Sequence, residues 1–314
     1  MKLTNSVYNK IVIICGPTAS GKSHAALQLC QTVLKGVIIN ADAIQVYEDI
    51  PILTSQPTIA EQDMVPHKLY GFVDANKRYS VANWLNDVRK EIDHALKKNL
   101  TPVIVGGTGM YISSLINGIR IIDDVPDKVS NQTTDKISKY GIDYLYKELL
   151  SIDKDVDKYI KISDTHRIIR AYNLYQAFNI TPTKYRQLPN KPFYHKDLMK
   201  VFAIIPDRDE LYQNCEIRFD NMFDSGAVDE VNFLIKKGYD LNSPVAKAIG
   251  FKELYNYLNG NMTKQQAIDK AKQNTRNYAK RQITWFQNQL NNVDNIKQDN
   301  IVDLIKNINK LVLC

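Results

Sequence analysis

Ile11-Val12-Ile13-Ile14-Cys15 is an apolar run without a polar interruption, and Gly16-Pro17 follows it directly. A run so short, closed by a turn, predicts a parallel strand covered on both faces. Val37–Asn40 and Thr101–Val105 repeat the pattern, and Val201–Ile205 repeats it a fourth time. Between these runs the spacing changes to three and four. Ser23–Leu34 and Ser80–Lys98 both read as helices, the second with a stripe of Val81, Leu85, Val88, Ile92 and Leu96. Strands alternating with helices predict an α/β fold with a parallel sheet flanked by helices.

The pattern breaks in the middle of the chain. From Leu115 to Lys200 the apolar runs disappear and Lys- and Tyr-rich helical segments replace them. In Asp164–Phe178 an apolar side of Ile168, Ile169, Tyr172, Tyr175 and Phe178 follows Asp164, a residue type suited to cap a helix. Helices resume at Arg208–Phe223, Val228–Lys237, Lys247–Leu258 and Thr263–Leu290. The expected organisation is a first part of the core over 1–114, a helical insertion over 115–200, a helical return over 201–290, and an Asn/Asp-rich tail over 291–314.

Composition narrows the class. With 44% apolar and 24% charged residues, the 314-residue chain has the make-up of a folded globular protein. Its net charge of +7 favours an anionic partner such as nucleic acid or phosphate. Cys15, Cys30, Cys215 and Cys314 form no Cys-x-x-Cys pair, which argues against a zinc site and for a reducing compartment. No apolar stretch approaches the ~20 residues of a membrane span. A cytoplasmic protein without membrane contact is expected.

Gly16-Pro17-Thr18-Ala19-Ser20-Gly21-Lys22-Ser23 matches the phosphate-loop pattern G-x-x-x-x-G-K-[ST] and sits between a strand and a helix, as that pattern requires. Backbone N–H groups and a helix N-terminus in this arrangement cradle phosphate oxygens, Lys22 adds a full positive charge, and the Ser23 hydroxyl is suited to ligate Mg²⁺. An ATPase would carry an acidic residue at the end of a second strand. Here the strand over Thr101–Val105 runs into Gly106-Gly107-Thr108-Gly109, which has no carboxylate. The acidic candidate is Asp42, after the second strand and near Gln45 and Tyr47, polar groups suited to reading a base. A carboxylate there can take a proton from an acceptor nucleophile; the competing reading is a simple turn residue.

The phosphate loop, Asn40-Ala41-Asp42-Ala43-Ile44-Gln45-Val46-Tyr47 and Gly106-Gly107-Thr108-Gly109-Met110-Tyr111 together resemble the tRNA dimethylallyltransferases (isopentenyltransferases) of bacterial type. Asp164-Thr165-His166-Arg167-Ile168-Ile169-Arg170, Ala248-Ile249-Gly250-Phe251-Lys252-Glu253 and Thr275-Arg276-Asn277-Tyr278-Ala279-Lys280-Arg281-Gln282 extend the match in the family's order, from about Lys10 to Leu290. The resemblance implies Mg²⁺-assisted transfer of a dimethylallyl group from its diphosphate to the exocyclic amine of the adenosine just 3′ of the anticodon. It implies Asp42 as general base, and Thr108 as a contact to the target base or to the transferred group. The loop Gly16–Ser23 would hold the prenyl diphosphate rather than ATP, and Arg218 is a candidate for an extra leaving-group contact. Asp42, Ala43, Ile44 and Gln45, with His166, Arg167, Ile168, Ile169 and Arg170, would lie against the tRNA. The chain departs from the family at Ala43, where Ser is common, at Gln56, where Lys is usual, and at His166, where Gln is usual. Ser130 and Asn214 stand about where Arg is common.

Lys272, Arg276 and Lys280 recur every four residues, and with Arg281 they predict a cationic helix face for RNA. Ile268, Ala271, Tyr278 and Trp285 are expected to pack inward. The target adenosine would have to leave its stack to reach Asp42, with the insertion and the main domain gripping the anticodon stem-loop and the protein acting as a monomer. Two other enzymes would use such a phosphate loop, a prenyltransferase acting on free adenine nucleotide and a small-molecule kinase. A non-catalytic RNA-binding module would need neither Lys22 nor Asp42.

Overall fold

The computed structural model describes residues 10–32, 35–120, 122–289 and 294–296, the last three by backbone alone. In chain order the elements are β1 (Ile11–Cys15), α1 (Lys22–Thr32), β2 (Gly36–Asn40), α2 (Pro51–Thr54), α3 (Ile59–Met64), β3 (His67–Lys68), α4 (Val81–Lys97), β4 (Thr101–Gly106) and α5 (Gly109–Asn117). There follow α6 (Asp127–Tyr140), α7 (Ile142–Ile152), α8 (Thr165–Phe178), α9 (Pro182–Gln187), β5 (Met199–Ile204), α10 (Arg208–Met222), α11 (Val228–Lys236), α12 (Phe251–Leu258), α13 (Lys264–Gln289) and β6 (Asp294–Ile296). The fold is α/β, as the alternating pattern predicts. The four expected strands are present within two residues of their expected ends. β3 and β6 carry no legible signal, because one is two residues long and the other, with Asp294-Asn295, breaks the apolar run.

The sheet order is β3-β2-β4-β1-β5-β6, and all its pairings are parallel. Every residue of β1, β2 and β4 is buried, which is why their middles read as apolar runs. Each fully buried Ile or Val side chain contributes about 1.5–3 kcal/mol. α1 packs Ala25, Ala26 and Leu29 onto the sheet, in one cluster with Val12, Ile14, Ile38 and Val103. α4 starts where the Ser80 side chain accepts from Asn83 N, and it buries Trp84, Leu85, Val88, Ile92 and Ala95. Parallel strands put all their carboxyl ends on one edge, so the turns after β1, β2 and β4 open on the same side.

The chain divides into two compact units. The larger comprises Met1–Ile116 and Pro192–Cys314, the smaller Asn117–Lys191. Pro192–Lys200, read from sequence as insertion, belongs to the larger unit. Arg89 lies over the Phe193 ring, Tyr194 donates to Asp93 on α4, and Met199 already begins β5. The smaller unit is all helical apart from an isolated antiparallel bridge between Ile119 and Lys191 near its two ends. Its core holds Leu145, Leu149, Val156, Ile168 and Tyr172.

One helix reading changes, and one expected break between helices takes a defined form. Lys247–Leu258 is not one helix: a 3₁₀ turn over Pro244–Lys247 precedes α12, because Gly250 adopts φ 97° and breaks the helical path. α10 and α11 are joined through Phe223–Ala227, where Gly226 at φ 105° makes the kink. The tail beyond Ile296 lies outside the described residues.

Candidate active site

The phosphate loop leaves β1 at Gly16. Ala19 at φ 61° and Gly21 at φ 81° turn the backbone into the left-handed region, and such turns point successive N–H groups into one hollow. Lys22 is 9% exposed and its Nζ donates to Pro17 O at 3.1 Å, so the ammonium folds back over the loop. Burial, and then the neighbouring Arg218, push its pKa down to about 8, against the pull of Asp42. Ser23 stands exposed on the first turn of α1 and borders the cavity described below.

The Asn40–Gln45 turn leaves β2 and is laced by its own side chains. Buried Asn40 accepts from Asp42 N at 2.8 Å and donates to Asp42 O at 3.0 Å and to Leu69 O at 2.9 Å. Its carbonyl accepts from Trp84 Nε1 at 2.8 Å. Asp42 Oδ1 accepts from Ile44 N at 2.9 Å and from Gln45 N at 3.4 Å. The turn role is therefore real, and it is compatible with chemistry, because it fixes the carboxylate by one oxygen. Oδ2 has no donor among the described residues.

The Gly106–Gly109 turn leaves β4 and closes on the Asp42 turn. Gly106 runs so close to Ala41 that an added Cβ would sit 2.2 Å from the Ala41 carbonyl. Thr108 Oγ1 accepts from Ala43 N at 2.9 Å, and Thr108 N donates to Ala41 O at 3.2 Å. Ala43 thus serves through its backbone.

Arg218 reaches the loop from α10. It donates to Thr18 Oγ1 at 2.8 Å, Ser55 Oγ at 3.1 Å and Thr54 O at 3.4 Å. No carboxylate pairs with it among the described residues. Burial lowers its pKa from the usual arginine value. A cavity of about 860 Å³ is bordered by Lys22, Ser23, Asp42, Gln45 and Arg218. Gln45 uses its Nε2 to donate to Thr54 O at 2.9 Å and Ser55 O at 2.8 Å, which leaves Oε1 to meet a ligand. Gln56, where the family has Lys, also borders the cavity and donates to Tyr47 O at 2.7 Å; Asn214 borders it from α10.

Sequence reasoning missed two supports of this site. Glu230 accepts from Ile52 N at 2.6 Å and Leu53 N at 2.8 Å, fixing α2 and with it the Thr54 and Ser55 carbonyls. Burial raises its pKa to about 6, even though both N–H bonds oppose that. Gln282 bonds the phosphate loop and the Gly106–Gly109 turn together. Both are polar residues inside helical patterns, which carry no signal in periodicity.

The remaining expected RNA contacts divide. On α8, His166, Arg167 and Arg170 are exposed, Arg167 pairing with Asp164 at 3.2 Å. Ile168 is fully buried in the core of the smaller unit, so it offers RNA nothing, and Ile169 is half-buried. Ser130 lies partly exposed on α6. The stripe on α13 is not uniformly free. Lys272 pairs with Asp220 at 2.7 Å and Arg276 with Glu216, both acids on α10, while Lys280 and Arg281 stay exposed. Of the residues expected inward, Ala271 is fully buried, and Ile268, Tyr278 and Trp285 are half-buried; Ala267, Ala279, Gln282 and Phe286 complete the buried face.

A parallel sheet with a turn of phosphate-loop pattern after β1 and a carboxylate in the turn after β2 defines an α/β protein of the phosphate-loop type. A model of the family described as IPP transferase matches residues 45–289, so the chain belongs to that family. A tRNA dimethylallyltransferase of Wolbachia pipientis wMel is 40% identical over 281 residues, 90% of this chain and 93% of that one. One from Ehrlichia ruminantium (strain Welgevonden) is 39% identical over 286 residues, with the same coverage. The full-length tRNA isopentenylpyrophosphate transferase of Bacillus halodurans superposes with a TM-score of 0.69 at 31% identity, covering 97% of this chain and 96% of that one. A eukaryotic dimethylallyltransferase acting on tRNA shares the fold, with a TM-score of 0.80 at 24% identity, covering 97% of this chain and 78% of that one.

Proposed function

We propose that the chain transfers a dimethylallyl group from dimethylallyl diphosphate to the exocyclic amine of the adenosine immediately 3′ of the anticodon, position 37 of tRNA. The observation that carries this reading is one cavity bordered by both an anion cradle, Lys22, Ser23 and Arg218, and a tethered carboxylate, Asp42. Relatives that span nine-tenths of the chain are named tRNA dimethylallyltransferases.

The adenine amine is a weak nucleophile because its lone pair is delocalised into the ring. As its nitrogen bonds to the allylic carbon, the carbon–oxygen bond to diphosphate breaks and the electron pair leaves with the diphosphate. Asp42 accepts the proton that the amine sheds, a contribution worth about 10²–10⁴-fold. Lys22, Arg218 and the loop N–H groups meet the charge growing on the leaving group. Thr108, held against Ala43 N, lies next to that carboxylate in the fold.

The residues fit a Mg²⁺ ion. Mg²⁺ takes few protein ligands beside phosphate oxygens and water, and Ser23 offers an exposed hydroxyl at the cradle. Ser20 Oγ, buried without a partner among the described residues, leaves an unmatched hydroxyl within the same loop. Bound there, the ion would neutralise charge on the diphosphate. His166, Arg167 and Arg170 on α8, and Lys280 and Arg281 on α13, are the exposed groups proposed to meet the anticodon stem-loop. The protein is proposed to act as a cytoplasmic monomer; among the described residues no helix is long and apolar enough to cross a membrane.

The test is a label-transfer assay with Mg²⁺ and radiolabelled dimethylallyl diphosphate. Three acceptors are offered: a tRNA with adenosine at position 37, the same tRNA with guanosine there, and free adenine nucleotide. Label on the first alone is expected. Label on free nucleotide moves the acceptor to a small molecule, and phosphate release from ATP without any label overturns the reading.

A further inference from the structure

Gln282 is an amide on α13 that is 6% exposed. Its Oε1 accepts from Thr18 N in the phosphate loop at 2.8 Å, and its Nε2 donates to Gly107 O in the turn after β4 at 2.8 Å. Among the described residues no other side chain bonds both loops. The contact is close: a Cβ added to Gly107 would lie 2.3 Å from Gln282 Nε2. One turn along α13, Trp285 lies against Gly109, where an added Cβ would sit 2.3 Å from Cε3 of the indole. The two side chains press on the turn at both sides of Thr108.

We propose that Gln282 is a positioning residue whose single amide sets the separation between the donor-phosphate loop and the turn carrying Thr108. It thereby aligns the leaving group with the acceptor amine; this rests on the transferase reading above. The two loops leave neighbouring strands, β1 and β4, and each could shift by tenths of an ångström without breaking the sheet. A buried amide that donates to one and accepts from the other removes that freedom at both ends, since either loop moving alone strands a buried polar group. The residue touches no reacting atom and acts through Thr18 and Gly107.

Two replacements at this position test the geometry. Methionine has nearly the same length and neither hydrogen bond. Glutamate has the same shape, and its protonated form carries one acceptor and one donor, as the amide does. Its ionised form has no donor and sets a charge against the Gly107 carbonyl. The titratable and charged groups around the pair of loops are Arg218, on the Thr18 hydroxyl from α10, Lys22 from α1, Asp42 from the turn after β2, and Tyr278 of α13, whose side chain meets Thr108.

The experiment compares wild type, Gln282→Met and Gln282→Glu in single-turnover transfer, tRNA binding, and binding of inorganic diphosphate with Mg²⁺ by calorimetry. For Gln282→Met the expected result is a transfer rate down roughly 10- to 100-fold, the loss a 1 Å misplacement brings. Diphosphate should bind several-fold more weakly, with tRNA affinity within about twofold of wild type. Transfer rate and diphosphate affinity both within about twofold of wild type overturn the proposal. For Gln282→Glu, the variant-to-wild-type rate ratio should rise as pH falls from about 8.5 to about 6, because protonation restores the donor. A flat ratio overturns it, and this arm decides the matter even if Gln282→Met does not fold. If wild type transfers no label, the transferase reading fails, while the diphosphate comparison still tests the tie between the loops.

Discussion

The carboxyl edge of the sheet and the outer face of α8 are built on opposite plans. At the edge, polar groups are withdrawn from water and almost all are matched. Asn40 is fully buried with four hydrogen bonds, Lys22 is folded onto Pro17 O, and Arg218 is spread over Thr18, Ser55 and Thr54. On α8 in the smaller unit, His166, Arg167 and Arg170 stand in solvent, and the one ion pair there, Arg167 with Asp164, is 70% and 35% exposed. Both regions rest on equally dry cores, so the contrast is not one of packing. Aligning a leaving group with a nucleophile requires side chains that cannot move, and buried hydrogen bonds supply that. Holding a polyanion requires cations whose charge is still available, and a solvated face supplies that instead.

The sharpest way to break the contrast is at Asp42. Asn in its place keeps an Oδ1 acceptor for Ile44 N and Gln45 N, so the turn stays closed and only the base is lost. Asp42→Asn should lower single-turnover transfer by about 10²–10⁴-fold, while tRNA affinity stays within about threefold of wild type. Transfer near the wild-type rate would show that the turn role is the whole role of Asp42. Next in size is the pH response of the cradle. Burial pushes the Lys22 pKa down to about 8, and the proposed diphosphate site requires its protonated form. Donor affinity should therefore hold below pH 8 and fall as pH rises through that value, by at most about tenfold per pH unit for one proton. Calorimetric titration with inorganic diphosphate from about pH 7 to about pH 9.5, about one unit below that value to about 1.5 above it, measures this. Lys22→Arg should flatten the curve, since arginine keeps its charge throughout.

A smaller effect is expected at Glu230, which supports the edge without bordering the reaction. Its folded pKa of about 6 lies above the ordinary carboxylate value because burial disfavours the charge. The sign follows: between about pH 4.5 and 6 the folded state holds more proton than the unfolded, so this group's contribution falls as pH rises through that window. Glu230→Ala relieves that cost but strands Ile52 N and Leu53 N, and the second effect should win, with a net loss of about 1–3 kcal/mol. Thermal melting at pH 7 checks it. Transfer should also slow, because the Thr54 and Ser55 carbonyls that hold Gln45 lose their anchor. A variant as stable as wild type would mean that α2 is fixed by its apolar contacts alone.

The same contrast explains what the sequence makes legible. Strands buried on both faces are apolar apart from ends such as Asn40 and Thr101, so β1, β2 and β4 stand out, and the phosphate loop declares itself because its glycines and lysine are fixed by backbone geometry. Asp42 and Thr108 follow from the resemblance, and Arg218 from the charge that the leaving group would carry. Gln282 lies at the end of a matching segment but carries no role there, and Glu230 lies in none; their value lies in a partner more than 170 positions away, and neither composition nor period marks a buried amide or acid. Ile168 errs the other way. Its neighbours in the motif face solvent, but helical geometry turns this one position into the core.

The least effect, and the finest discrimination, comes from dividing α13. Lys272, Arg276, Lys280 and Arg281 share one sequence pattern but not one role. Lys272 and Arg276 are held by Asp220 and Glu216 of α10, the helix that carries Arg218, whereas Lys280 and Arg281 are exposed beside Asn277 and Thr284. Neutralising the outer pair, Lys280→Ala with Arg281→Ala, should weaken tRNA binding several-fold and flatten its salt dependence by up to ~0.7–0.9 per lost phosphate contact, with the melting temperature unchanged. Neutralising the inner pair, Lys272→Ala with Arg276→Ala, should leave the salt slope alone and cost about 0.2–1 kcal/mol for each bridge. Measuring log K against log salt for both double variants separates the two. If the inner pair also flattens the slope, those cations exchange their carboxylates for RNA phosphates on binding, and α10 is then freed at the moment Arg218 is needed at the donor.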